Sequence, residues 1–338
     1  MTAENINLLV LNGVADVGMV NVVKADSMGK ISFDTGGSCN MAMYLPRESI
    51  DVNHFIIDQH QEQDVNEKLL WSQDVVLCEI SDPDSHAMAL SKARSLYNVV
   101  QEKVPWINNP HKVLNTKREI VPQLLSDVDG VIAPRTLRIK PDSTEDIRSA
   151  IKANEFSLPV LLRPTGSHGG KGLVLIKTLA DLESIDITQY AQAFITEFVD
   201  YSQRGLYCKY RFAVVAGEPL LRHVLFYDQW MIHSEARVFT ASRPDLQKAE
   251  AEALANFEED LKPRVQGVIR EIYEKIGLDY FGIDCAIKDD RLILFEVNAN
   301  MNILNNNQPL PNIWEQAIDR ILTRLIDKLI LVRAKSRV

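Results

Sequence analysis

The chain has 338 residues, 46% of them hydrophobic, and a formal net charge of −9. At about 100–200 residues per domain this length allows two or three core-bearing units, and the acidic balance argues against nonspecific binding to nucleic acid or anionic membranes. The four cysteines, Cys39, Cys78, Cys208 and Cys285, form no CxxC pair, which fits reduced thiols rather than a disulfide framework or a zinc site. No Lys or Arg precedes the apolar residues 8–11 and no apolar run approaches about 18 residues, so a soluble, cytoplasmic protein without leader or membrane span is expected.

In chain order, residues 6–11, 54–58 (HFIID) and 74–80 (DVVLCEI) are short apolar runs near turn signals, predicted as buried parallel strands. Leu90, Ala93, Leu96, Tyr97 and Val100 fall at helical spacing, which predicts a helix over residues 86–103. The alternation predicts a doubly wound α/β domain. Thr35-Gly36-Gly37-Ser38 is either a plain loop or an anion cradle, and no spaced dinucleotide fingerprint accompanies it. Pro105 and Pro110 interrupt any continuing helix, placing a domain boundary near residue 110.

Residues 112–125 read as a helix carrying Lys117, and residues 130–138 (GVIAPRTLR) as a strand interrupted by Pro134. Ser143, with Glu145 and Asp146 in the first turn, caps a helix through Ala153. Residues 158–177 (LPVLLRPTGSHGGKGLVLIK) place two β-rich runs around a loop containing Gly166, Ser167, His168, Gly169, Gly170, Lys171 and Gly172. Its glycines let backbone N–H groups approach an anion and Lys171 adds a cation, although a mobile hairpin turn is the competing reading. It is not a Walker loop, because Gly172 and Leu173 follow the lysine. Residues 193–199 (AFITEFV), 210–215 (YRFAVV) and 219–226 (PLLRHVLF) continue as strands.

His223 and His233 lack a metal-binding partner at useful spacing and are expected to be solvent-facing or hydrogen-bonded. The same region, with Arg222, Asp228, Trp230 and Arg237, is a candidate wall for an acceptor pocket. A charged helix is expected from Pro244 toward Leu261. A second should run over residues 263–275 and stop at Gly277, and a last one over residues 313–332, ahead of a solvated basic tail of Arg333, Lys335 and Arg337.

Residues 280–302 (YFGIDCAIKDDRLILFEVNANMN) put Asp284 in one apolar run and Glu296 with Asn298 in the next. Residues two apart share a strand face, so Glu296 and Asn298 can address one object. Asp284 joins them if it pairs with Glu296, which predicts Lys288 opposite Leu292 and a three-residue loop, Asp289-Asp290-Arg291. Three hard oxygen ligands suit magnesium, and a structural polar strand pair is the alternative.

The order of these features resembles the ATP-grasp superfamily, nearest its RimK-like and glutathione-synthetase-like ligases. The resemblance is carried over residues 104–304 by VPWINNP, IAPRT, LPVLLRP before the glycine loop, ITEFV, KYRFAVV, FGIDCAI and LFEVNAN. It implies a Rossmann-like domain (residues 1–110), a smaller ATP-grasp lobe with the glycine loop (111–200) and a larger lobe with the metal site (201–338). Lys117 and Arg163 would reach ATP phosphates. Ser167, His168, Gly169, Gly170 and Lys171 would close over them, and Glu197, Phe198, Val199 and Asp200 would hold adenine and ribose. Arg211 would be catalytic. Asp284, Glu296 and Asn298 would hold one or two Mg2+ ions, with Mn2+ as a substitute. The implied reaction joins a carboxylate (of a small molecule, peptide or protein terminus) to an amine through an acyl phosphate, consistent with a homo-oligomer. The alternatives are a small-molecule or sugar kinase on the same fold and a Mg·ATP-binding regulatory module. Two positions depart from the usual pattern: Lys209 replaces an Asp, and Ala-Asn-Met-Asn follows Asn298 in place of proline-glycine.

Overall fold

The apolar run at residues 8–11 is buried on both faces, as a strand in the middle of a parallel sheet must be. In the computed structural model, which describes residues 5–25, 27–28, 31–34, 41–58, 67–167, 169–306 and 308–336, this run lies in β1 (Ile6–Gly13). A ribbon of β2 (Asn21–Ala25) and β3 (Ile31–Asp34) follows, then a 3-10 turn at Met41–Tyr44 and β4 (Ile50–Ile57). After α1 (Glu67–Trp71) come β5 (Val75–Cys78), α2 (Ala87–Val100) and β6 (Trp106–Ile107), and the parallel sheet has the order β4-β1-β5-β6. Leu9, Leu11 and Val76 pack with Ala89, Leu90 and Ala93 of α2. Leu8, Val10 and Leu77 face the opposite way, toward Met41 and the C-terminal helix residues Ile318, Ile321 and Leu325. A helical crossover joins β5 to β6, whereas the described residues between β1 and β4 form the ribbon and 3-10 turn. The Thr35–Ser38 turn, Cys39, His168 and Arg337 lie outside the described residues.

The expected helix over residues 112–125 is broken. A 3-10 turn occupies Lys112–Thr116, Lys117 is extended (φ −58°, ψ 135°), and α3 spans only Val121–Leu124. Pro122 is the reason: inside a continuous helix its ring would meet the carbonyl four residues back, so it is tolerated only in a first turn. Pro134 likewise divides residues 130–138 into β7 (Val131–Ile132) and β8 (Thr136–Ile139), which enter different sheets.

Next, α4 (Thr144–Ala153) starts at a capping box in which the Ser143 N–H donates to Asp146 (2.8 Å) and the Asp146 N–H to Ser143 Oγ (3.3 Å). Its Ile147 and Ile151 pack on Val160, Leu162 and Ile195. These belong to an antiparallel sheet of order β10-β9-β11-β8, where β9 is Val160–Pro164, β10 Val174–Ile176 and β11 Ala193–Glu197. A third sheet, β13-β12-β14-β15-β7, contains β12 (Tyr207–Val215), β13 (Glu218–Tyr227), β14 (Tyr280–Lys288) and β15 (Arg291–Asn298). Three helices, α5 (Ser234–Ala241), α6 (Pro244–Ala255) and α7 (Lys262–Ile276), cover β13. In α7, Val265, Ile269, Ile272 and Ile276 form the buried stripe, each contributing about 1.5–3 kcal/mol. Gly277 ends it at φ 73°, the left-handed conformation that favours glycine. The last helix begins as α8 (Glu315–Leu325). No helix among the described residues is long and apolar enough to cross a membrane.

The β14–β15 hairpin reaches the expected pairing by another route. Asp284 is opposite Glu296, but Lys288 faces Arg291 across a two-residue turn, Asp289-Asp290, not the three-residue loop. Both turn residues have positive φ (51° and 56°), as a tight type I′ hairpin requires. That turn alone would put Asp284 on the wrong face. The ladder then shifts: Cys285 pairs with Leu294 and Asp284 with Glu296, leaving Phe295 as a bulge that restores the face.

Candidate functional site

The smaller antiparallel sheet and the five-stranded sheet enclose a cleft of about 410 Å³. Adjacent strands of the larger sheet bring its charged part together, because Arg211 on β12 is in register with Asp284 on β14, which is opposite Glu296 on β15. Arg211 Nε donates to Asp284 Oδ1 at 2.7 Å and its Nη2 to Oδ2 at 2.8 Å, and Lys209 Nζ donates to the same Oδ2 at 3.2 Å. Arg118 donates to Glu296 Oε2 at 2.8 Å and to the Phe295 carbonyl at 3.1 Å. Asn298 Nδ2 reaches Glu296 Oε1 at 3.4 Å.

Burial pushes the Asp284 carboxyl up, but Arg211 and Lys209 outweigh it and hold the group well below the usual carboxylate range. Burial and the charge of Asp284 likewise raise Glu296, while Arg118 and Arg163 more than offset them and keep it below its ordinary value. Arg163 on β9 faces the same cluster from the other sheet. Burial and then the charge of Arg118 push it down to about 9, against the pull of Glu296, so it remains a cation at neutral pH.

Another part of the cleft is apolar. Leu161, Pro134, Phe198, Val199, Met231, Ile232, Ile293 and Phe295 line it, and the Phe198 and Trp230 rings meet edge to face at 5.8 Å. The cleft therefore joins an apolar slot to a charged cluster, the shape and chemistry of a ligand with a flat ring at one end and anionic groups at the other.

The predicted residues divide clearly. Arg163, Gly169, Gly170, Glu197, Phe198, Val199, Arg211, Asp284, Glu296 and Asn298 all line the cleft. Lys117 does not; its neighbour Arg118 does, because the break before α3 turns the next residue inward. Asp200 is exposed outside the lining, its carboxylate accepting from the Ser202 N–H and hydroxyl. The Ser167 hydroxyl donates to the Pro164 carbonyl (2.8 Å) and Lys171 is exposed, so neither side chain lines the cleft. Glu197 pairs with Arg135 at 3.0 Å. His233, half-buried, stands so close to Gly170 that a Cβ there would lie 2.0 Å from its Nε2. The expectation of a solvent-facing or hydrogen-bonded His223 is overturned: the side chain is 3% exposed and neither ring nitrogen has a partner among the described residues. Helices packed over β13 hide it from solvent. Sequence reasoning also missed Lys209 as a partner of Asp284; its one signal was the alternation of Lys209 and Arg211 along a single strand face.

Asn108 couples this hairpin to the N-terminal sheet. Wholly buried and left-handed (φ 62°), it donates to the Tyr280 and Ala299 carbonyls and accepts from the Tyr280 N–H. It lies in the VPWINNP stretch, which explains why that stretch, though far in sequence, bears on the site.

The fold is shared with solved ligases and synthases of low sequence identity. A D-alanine–D-alanine ligase from Bacillus anthracis complexed with ATP superposes with a TM-score of 0.53 over 98% of both chains at 14% identity. A carboxyaminoimidazole ribonucleotide synthase from Aspergillus clavatus complexed with ATP gives 0.53 over 88% of this chain and 71% of that one at 13% identity. The VanG D-Ala:D-Ser ligase from Enterococcus faecalis gives 0.52 over 96% and 99% at 12% identity. Among curated proteins, the chain is similar to the tetrahydromethanopterin:alpha-L-glutamate ligase of Methanococcus maripaludis, 24% identical over 205 residues, or 59% of this chain and 63% of that protein. The match thus spans less than two thirds of that relative. No family model matches the sequence.

Proposed function

We propose that the protein is an ATP-dependent carboxylate–amine ligase acting through an acyl phosphate. The observation that carries this reading is the joining, in one cleft, of an apolar slot to a cluster of Arg118, Arg163, Lys209 and Arg211 around Asp284 and Glu296. Adenine occupies the slot beside Phe198 and Val199, and the triphosphate lies among the cations under the Gly169-Gly170 loop. In this reading residues 1–110 form a doubly wound N-terminal domain, 111–200 the smaller lobe and 201–338 the larger lobe. The buried free thiols Cys78 and Cys285 fit a reducing cytoplasm.

The donor set fits magnesium. Glu296 and Asn298 offer hard oxygens, and a carboxylate has about four acceptor sites, so Asp284 retains one beyond its three hydrogen bonds. A bound Mg2+ would neutralise phosphate charge. The chain's own residues do the rest by position and charge. A carboxylate oxygen of the acceptor attacks the γ-phosphorus, the bond to the β-phosphate oxygen breaks, and ADP leaves. Arg211, fixed by its two bonds to Asp284, stabilises the charge that spreads over the transferring phosphoryl group. An amine then attacks the acyl carbon and loses a proton as phosphate leaves, forming the amide.

The test is to incubate the protein with Mg·ATP and pooled carboxylates and amines, following ADP, free phosphate and product masses together. An amide-mass product with stoichiometric phosphate is expected. A phosphorylated product without free phosphate would identify a kinase instead.

A further inference from the structure

Arg211 and Asn302 also line an adjoining cavity of about 250 Å³, in the region of Arg222, His223 and Arg237 that the sequence offers as a wall for an acceptor pocket. Its other charged walls are Arg222 and Arg237, it includes His223, and no acid among the described residues lines it. Arg222 is fixed rigidly: its Nε donates to the Ile303 carbonyl at 2.7 Å and its Nη2 to the Asn305 carbonyl at 2.8 Å. Its remaining Nη1 is buried and has no partner among the described residues, and the same is true of both ring nitrogens of His223. Glu250, the buried acid near these arginines, is engaged elsewhere, accepting from Trp314 Nε1 (2.8 Å) and the Val224 N–H (3.3 Å). Burial, and then the neighbouring charges of Arg237 and Arg211, push Arg222 down to about 10. Burial also keeps His223 neutral.

Buried donors without acceptors are costly and rare. Here they converge with cations on one small concavity, so the missing partner is an anion. A guanidinium held by two of its nitrogens and unpartnered at the third, beside a second guanidinium and an imidazole N–H, suits a carboxylate better than a point cation would. The β12–β13 ladder builds the arrangement: Arg211 pairs with His223 and Phe212 with Leu221, leaving Arg222 as a bulge next to the site.

We propose that this cavity grips the acceptor by a second carboxylate, so that the substrate class is a small dicarboxylic or polycarboxylic acid. One carboxylate is presented to Arg211 for phosphorylation, and another is held by Arg222 and Arg237 with a ring N–H of His223 donating to it. This deepens the ligase reading and rests on it for the identity of the reacting carboxylate; the anion site itself does not depend on it.

The test is calorimetric titration of the full chain with glutarate, propionate and inorganic phosphate, and separately with Mg·ADP. Glutarate should bind about tenfold more tightly than propionate or phosphate. Arg237→Gln, an exposed change that leaves the core intact, and His223→Phe should each weaken glutarate about tenfold without moving the Mg·ADP affinity. Equal binding of propionate and glutarate, preference for phosphate, or unchanged glutarate affinity in Arg237→Gln would overturn the assignment. Glutarate binding with no Mg·ADP binding would sustain this cavity and sink the nucleotide reading. Mg·ADP binding without glutarate binding would do the reverse.

Discussion

Arg211 borders two cationic regions that are neutralised to different degrees. In the cleft, Asp284 accepts from Arg211 and Lys209, and Glu296 from Arg118, so each acid has a close cation. In the adjoining cavity, among the described residues, Arg222 and Arg237 share the walls with no acid and His223 has no hydrogen bond. The first region holds its geometry before any ligand arrives, because paired charges fix one another in a low-dielectric setting. The second is completed only by an anion. Preorganised charge suits phosphoryl transfer, and unpaired cations suit substrate capture.

The comparison breaks most visibly at Asp284. Asp284→Asn leaves Arg211 and Lys209 facing each other in a buried site, so a stability loss of about 3 kcal/mol is expected with a turnover loss of about 10²–10³-fold. Glu296 is more accessible than Asp284 (side chains 26% and 8% exposed), so Glu296→Gln should lose turnover comparably with a smaller shift in melting temperature. Both carboxyls are held below their ordinary values. Their stabilisation is therefore complete above the unfolded carboxylate range near about pH 4 and is lost as pH falls further. Thermal melts from pH 7 to 3 should show a shallower acid decline in Asp284→Asn. An unchanged melt and unchanged ADP production in that variant would show that the pairing organises nothing.

Arg118 sharpens the same contrast at smaller scale. Because it, and not Lys117, lines the cleft and pairs with Glu296, Arg118→Ala should weaken Mg·ATP binding about tenfold. Lys117→Ala should change it by less than about twofold. Fluorescence titration with a nucleotide analogue separates the two, and the opposite ranking would restore the sequence expectation.

That one-residue difference illustrates which features were legible in the sequence. Polar oxygen-bearing side chains interrupting apolar runs at residues 284, 296 and 298, the glycine loop between two strands, and the capping box at Ser143 are local patterns, and their placement was readable. Two bulges, at Phe295 and Arg222, were not, since nothing in a string of apolar and charged residues marks where a ladder gains a residue. The expected Asp284–Glu296 pairing was right, but the three-residue turn inferred to produce it was not. Arg222 and His223 belong to the same problem: their burial depends on helices contributed by later segments, which strand periodicity cannot anticipate.

Glu79 supplies the third case, an acid buried as deeply as Asp284 but with only neutral hydrogen-bond partners among the described residues. It is 1% exposed, accepts from Asn12 Nδ2 (3.0 Å) and the Met41 N–H (3.1 Å), and sits where Asn300, just past β15, donates to its carbonyl. Burial pushes its carboxyl up to about 8, more than these two hydrogen bonds lower it. The sign is opposite to that of Asp284. The folded chain keeps this proton where the unfolded chain has lost it, so stability falls as pH rises from the ordinary carboxylate range through about 8. Between about pH 7 and 8 the loss should be roughly 1 kcal/mol, or about 2 °C in melting temperature for a chain of this size. Glu79→Gln, which keeps an acceptor for Asn12 and Met41 without the titrating proton, should flatten that slope. If the variant and the parent melt in parallel across this window, Glu79 is ionised in the folded state, and burial without a counterion does not govern this acid as it governs the arginines beside His223.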